Sequence, residues 1–144
     1  MSKPACAFAI IALATVSTAA AQSAVPDLRG TWKGESESIV LGGGNAHHAV
    51  TSASEPELRS VAFTLTIDKQ DGRRFSGTFS SPRGGSKVVA IMSRGGTIFL
   101  ADFLADAEGF SNGTMLAPDR MELCYLKHGS DARIASCVEL TKQP

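Results

Sequence analysis

Few side chains in this 144-residue chain are suited to chemistry, and most of them stand on short alternating runs. Asn112, Tyr125 and Ser136 lie on three successive runs near the C-terminus, and Ser36 and Ser38 lie two apart on the first. In a strand, residues two apart share a face, so pairing of these runs gathers all five into a polar belt on one side of a sheet. A few convergent polar groups in an apolar interior are what orient a small, mainly apolar ligand. Tyr125 is the residue expected to matter most, because its ring lines a cavity while its hydroxyl positions a polar group. The competing reading is that these groups pair with one another or hold ordered water, as buried polar groups must.

Other candidates are weaker. His47 and His48 with Glu55 and Glu57 are metal-ligating types, but adjacent histidines in an extended loop point to opposite sides and no second ligand set has recognisable spacing. The expectation is a solvated loop with no metal and no cofactor. His128, beside the last turn, is expected to be exposed. An enzyme needs a nucleophile with a base, or two carboxylates in divergent environments. The one carboxylate in a strongly apolar run is Asp102, within TIFLADFLA. An interior Asp102 would favour acid-base chemistry or a cationic ligand. Opposing Met92 to Phe99 turns the aromatics inward and Asp102 outward, so no catalytic residue is assigned. Asn112-Gly113-Thr114 matches a glycosylation acceptor, discounted because Asn112 is expected to face inward. Gly42-Gly43-Gly44 has no following helix or Lys-Ser/Thr pair and is no phosphate loop.

The elements that position these residues are all strands. Strict alternation punctuated by Gly, Pro, Asp and Ser recurs to the end, with no sustained 3.6 period after the first residues. The runs are 31–41, 60–68, 74–80, 87–94, 97–104, 109–117, 120–127 and 133–142. Most connections are too short for a crossover, so sequence neighbours are sheet neighbours, and closing the first strand on the last removes both exposed edges. The expected fold is all-β, a single eight-stranded antiparallel up-and-down barrel. The long connection Gly42 to Glu57 reads as a flexible flap over one mouth, or as disordered.

Turn chemistry predicts registers. Gln70-Asp71-Gly72 sets Ile67 against Phe75 and Phe63 against Phe79. Gly95-Gly96 sets Met92 against Phe99 and Val88 against Phe103. Pro118-Asp119 sets Leu116 against Met121, Thr114 against Leu123 and Asn112 against Tyr125. A turn centred on Ser130-Asp131 sets Tyr125 against Ser136 and Cys124 against Cys137, which makes a disulfide feasible. A closing pair of Trp32 with Leu140 brings Ser36 beside Ser136.

Residues 1–21 read as a secretory signal peptide: Lys3, an apolar run from Ala5 to Val16, and Ala19-Ala20-Ala21 before Gln22. That run is too short to span a bilayer, so the chain is expected to be secreted or periplasmic and not membrane-spanning. Residues 22–29 form an N-terminal arm and 30–144 the barrel. Without Lys3 the 14 basic residues fall to 13 against 14 acidic ones, a near-neutral balance that argues against nucleic acid and polybasic membrane contact. Cys124 and Cys137 remain as an even count for an oxidising compartment.

Gly30-Thr31-Trp32, opening an eight-stranded secreted meander, resembles the Gly-x-Trp start of the calycin barrels: lipocalins, avidins and bacterial metalloprotease inhibitors. The resemblance implies that Trp32 plugs the closed barrel end and packs against a basic residue near the C-terminus, for which Lys142 is the match. The likeness to avidins extends to Ser38, six residues beyond the Trp. Gly34 stands where avidins carry Asn, and Trp32 is the single Trp where avidins have several, so biotin binding is not expected. Two functions follow. One is an extracytoplasmic barrel that binds a small, mainly apolar ligand. The alternative is a protein-interaction or protease-inhibitor-like barrel acting through its exterior or the arm Gln22 to Arg29.

Overall fold

The computed structural model describes residues 25–50, 54–102 and 109–144. The expected signal peptide, residues 51–53 of the long connection, and Phe103 and Leu104 therefore lie outside the described residues. Eight strands follow in order: β1 Gly30–Gly42, β2 Glu57–Asp71, β3 Arg74–Ser81, β4 Gly84–Met92, β5 Thr97–Asp102, β6 Gly109–Ala117, β7 Arg120–His128 and β8 Ala132–Lys142. Each pairs antiparallel with its sequence neighbour, and β1 pairs with β8, closing the barrel. Among the described residues there is no helix.

Alternation builds the wall. On β8, Ala132, Ile134, Ser136, Val138 and Leu140 are buried while Arg133, Ala135, Cys137 and Glu139 are exposed. Of the inward set, Val138 and Leu140 pack with Leu65, Ile67, Val88, Ile98 and Met121 into one core. On the outer face Cys124 and Cys137 are bonded, their Cα atoms 4.1 Å apart in directly opposed positions.

One end of the barrel is plugged by its own N-terminal approach. Trp32 is fully buried, its Nε1 donating to the Leu28 carbonyl at 2.8 Å. Lys142 Nζ lies 5.6 Å from the Trp32 ring centroid and donates to the Asp27 carbonyl at 2.7 Å. Gln70 accepts from the Leu28 amide and donates to the Pro26 carbonyl. Fully buried Leu28 thus serves as core.

Several registers differ from the turn-based expectation, and parity decides which differences matter. At β2–β3 the turn tightens to Gly72-Arg73, with Gly72 at φ 55°, and a bulge follows between Ile67 and Lys69. Ile67 faces Gly77 and Phe79 faces Leu65, even displacements that leave these side chains on their expected face. At β1–β8, Trp32 opposes Lys142 instead of Leu140, again an even displacement, so Ser38 and not Ser36 lies opposite Ser136.

Two odd displacements turn side chains over. The β4–β5 loop takes three residues, Arg94-Gly95-Gly96, with Gly96 at φ 87° and the Ser93 amide donating to the Thr97 carbonyl. Met92 then faces Ile98 and Val88 faces Asp102, so Ile98, Leu100 and Asp102 point inward and Phe99 is exposed. At β6–β7 the expected two-residue turn forms between Ala117 and Arg120, but a bulge between Met115 and Ala117 slips the register by one. Met121 now faces Met115 and Leu123 faces Gly113. Asn112 faces Cys124 on the outer wall and is exposed, as is Leu116, while Ser111 takes the place opposite Tyr125.

Candidate functional site

The end opposite Trp32 is covered by the first half of the Gly42 to Glu57 connection, a folded plug instead of a loose flap. Gly42 adopts φ 87° and the Gly43 amide donates to the Asp131 carbonyl at 2.7 Å. Asp131 is itself paired with buried Lys127, which holds its carboxyl below the usual carboxylate range. The chain then doubles back, with the Asn45 amide donating to the His48 carbonyl at 2.9 Å. Asn45 Oδ1 accepts from the His47 and His48 amides at 2.9 and 2.7 Å, a side-chain-mimicked turn. Gly44 permits it: a Cβ there would lie 1.9 Å from the His48 carbonyl oxygen.

This turn places both imidazoles into the barrel mouth, where His47 is 9% and His48 3% exposed. The expectation of a solvated loop with divergent histidines is overturned because the backbone is not extended there. The cue was available in Asn45, whose amide is a turn-former two residues before His47. His47 stands edge-on to Phe63 at 5.3 Å and to Phe79 at 6.2 Å, above the 4.6 Å stack those two rings make. Its Nδ1 lies 2.9 Å from Ser81 Oγ. Among the described residues no three His, Cys, Asp or Glu are grouped to hold a metal.

The serines expected in the belt are gathered here: Ser36, Ser38 and Ser136 are all buried. Ser38 Oγ lies 3.0 Å from His48 Nε2, 2.7 Å from Ser136 Oγ and 3.1 Å from Ser36 Oγ. Proton positions follow from the acceptor at one end. Asn45 Oδ1 lies 3.2 Å from His48 Nδ1 and can only accept, so Nδ1 carries the proton. Burial first, and then the charges of His47 and Arg83, push His48 down to about 4, so near neutral pH its Nε2 is an acceptor. Ser38 therefore donates to His48, and Ser136 and Ser36 donate to Ser38. His47 is likewise lowered by burial and Arg83, against the opposing effect of Asp102.

Ser38, His48 and Asn45 have the connectivity of a nucleophile, base and orienting group. Three features argue against that role. Ser38 already accepts two hydrogen bonds, it does not line the neighbouring cavity, and a base held at about 4 is far from the operating pH that general-base catalysis favours. The chain of hydroxyls ties the plug to β1 and β8.

Beneath the plug is a cavity of about 70 Å3. Phe63, Phe79, Leu123 and Val138 supply its apolar wall; Asn45, His47, His48, Asp102, Tyr125 and Ser136 bring polar groups to it. Asp102, expected outside, is on this wall and accepts from the Ser86 hydroxyl. Tyr125 leans over Gly109, where a Cβ would lie 2.4 Å from its hydroxyl. His47 Nε2 is buried without a hydrogen-bond partner. Of the belt expected from the sequence, Ser36, Ser38, Tyr125 and Ser136 are inside and Asn112 is not; His47, His48, Asn45 and Asp102 are the additions. A larger, open concavity of about 930 Å3 crosses the outer wall over β2 to β6, bounded by Val89, Ile91, Phe99 and Phe110. It lacks the enclosed, convergent polar groups of the inner cavity.

No protein-family model matches this chain, and no curated protein does. Among solved structures it is similar to the S-type phycobiliprotein lyase of Guillardia theta, with 16% identity and a TM-score of 0.47 over 81% of this chain and 89% of that one.

Proposed function

We propose that this protein is an extracytoplasmic binding barrel whose ligand seats its polar head in the cavity beneath the Asn45 to His48 turn. The observation that carries the reading is His47 Nε2, a buried polar atom without a partner on a ring that lines the cavity. Buried nitrogens are almost always satisfied, and an exception at a cavity wall is explained by a group that arrives there. With the turn in place the volume admits a head of a few heavy atoms. The mainly apolar remainder expected from the sequence enters only as the turn lifts. The expected signal peptide and the disulfide support the extracytoplasmic setting.

A second reading, interaction through the exterior, is favoured by the exposed apolar side chains of Val89, Ile91, Phe99 and Phe110 on one wall. Its N-terminal-arm version is disfavoured because Leu28 is consumed as core.

Native mass spectrometry of protein purified from its own source, with thermal shift against a metabolite panel, tests the binding reading. An adduct that is weakened in His47→Phe, with an unchanged fold, is the expected result, at a cost of about 0.5 to 1.5 kcal/mol in affinity. A bare chain with no thermal shift from any compound leaves the exterior reading in its place.

A further inference from the structure

We propose that the protein forms a two-fold dimer in solution through an apolar row on its outer wall, running from Leu58 through Ile39, Ala135 and Leu126 to Phe110. The row is made by register. Ile39 stands directly opposite Leu58 of β2 on one side and Ala135 of β8 on the other, Ala135 opposite Leu126 of β7, and Leu126 opposite Phe110 of β6. All five point outward and are exposed, Leu58 to 81%, Leu126 to 54% and Phe110 to 53%. Exposed apolar side chains scattered singly need no explanation, but five in one cross-strand line make a continuous surface about 19 Å long, four strand spacings. Strands of an eight-stranded barrel tilt about 35 to 45° from its axis, so such a row climbs as it runs and turns through about a quarter to a third of the circumference. It therefore lies on one face, within reach of a single partner.

The charges beside the row say what covers it. Glu37 and Cys137 are opposed neighbours on the side toward Trp32, and Leu41 and Arg133 on the side toward the mouth. Glu37 and Arg133 are exposed, and neither is ion-paired with another described residue. When two copies meet with the two-fold axis along the row, each row lies on itself and the two flanks exchange. Arg133 of one protomer then faces Cys137 of its partner, with the partner's Glu37 one strand away, about 4.8 Å to the side, a step that an arginine side chain spans. Symmetry makes this ion pair twice. An axis along the strands would set Arg133 on Arg133 instead. Further out, Glu139 and Asp131 are already held by Arg120 and Lys127, so they add no free like charge where the flanks meet. A lipid surface is the poorer occupant, because the row is flanked by Glu35 and Glu37 as well as Arg133, which is not the basic cluster that holds a protein on an anionic bilayer. The row is small beside a standard interface, so the dimer is a weak one. This inference stands apart from the binding reading, whose cavity lies inside the barrel.

The test is sedimentation equilibrium of the full mature chain, disulfide intact, at concentrations up to about 0.5 mM. A monomer–dimer equilibrium is expected, weakened about tenfold or more by Leu58→Glu, whose side chain is so exposed that the fold does not need it. Circular dichroism checks that the variant is folded. Arg133→Glu should weaken association about as much, by setting two carboxylates together at each flank. The double exchange Glu37→Arg with Arg133→Glu should return it to within about threefold of native, since the ion pair is rebuilt with its ends reversed. Ile91→Glu, on the neighbouring concavity, should leave it unchanged. A chain that stays monomeric at the highest concentration overturns the inference. So does a dimer that Leu58→Glu leaves intact or that Ile91→Glu dissolves, since its contact then lies elsewhere. A double exchange that associates no better than Arg133→Glu alone overturns the two-fold arrangement.

Discussion

Acid should release the plug before it unfolds the barrel. An ordinary histidine titrates near 6.5, and burial holds His48 at about 4, a difference worth about 3 kcal/mol between the plugged and released forms. The sign follows from the neutral imidazole being the buried form. The stabilisation is fully present above the unplugged value near 6.5 and drains away as the pH falls from there through about 4. Protonation also removes the Nε2 acceptor, so Ser38 loses its receiver and the turn its tie to β1. His47, lowered for the same first cause, adds to the effect. The assay is hydrogen exchange of the Gly43 and Asn45 amides, which donate to Asp131 and His48, reported as protection factors corrected for intrinsic rates from pH 7.5 to 4.5. Their protection should collapse over this range while amides of β7 and β8 remain protected, because the strand ladder contains no buried histidine. Flat loop protection down to pH 4.5, or an NMR titration of His48 with a midpoint near 6.5, would refute the reasoning.

Two further perturbations test the frame. Cys124→Ser should destabilise the oxidised protein by about 2 kcal/mol or more, read as a denaturation midpoint, and non-reducing peptide mapping should recover the Cys124–Cys137 peptide intact; free thiols at both positions would remove the staple. Gly34→Ala should cost about 2 kcal/mol or more, because its Cβ would lie 1.9 Å from the Glu139 carbonyl oxygen where β1 crosses β8. An unchanged midpoint would mean that the strands do not approach there.

Much of the frame was legible in the sequence because its signals are local and repeated. Period-two alternation and turn residues placed eight strands, and the matched spacing of Cys124 and Cys137 about one turn fixed the β7–β8 register as it stands in the structure. Gly30-Thr31-Trp32 pointed to a plugged end, where Trp32 and Lys142 do meet. The site was less legible, since face assignment depends on parity and parity on single residues. One extra loop residue at Arg94-Gly95-Gly96 brought Asp102 inside, and one bulge near Leu116 put Asn112 outside. Neither event leaves a mark in alternation, which reads the same in both registers.

The sequence by itself determined the strand order, the disulfide and the presence of polar side chains on inward runs, because each is written in residues close in the chain or in a fixed spacing. Only the tertiary structure decided what those side chains do. Ser38 and Ser136 stand 98 residues apart and meet because β1 closes on β8. His48 reaches them because Asn45 folds the loop back into the mouth. Burial there, a property of the closed barrel and not of any residue, shifts both imidazoles toward the neutral form and leaves His47 Nε2 waiting for a partner.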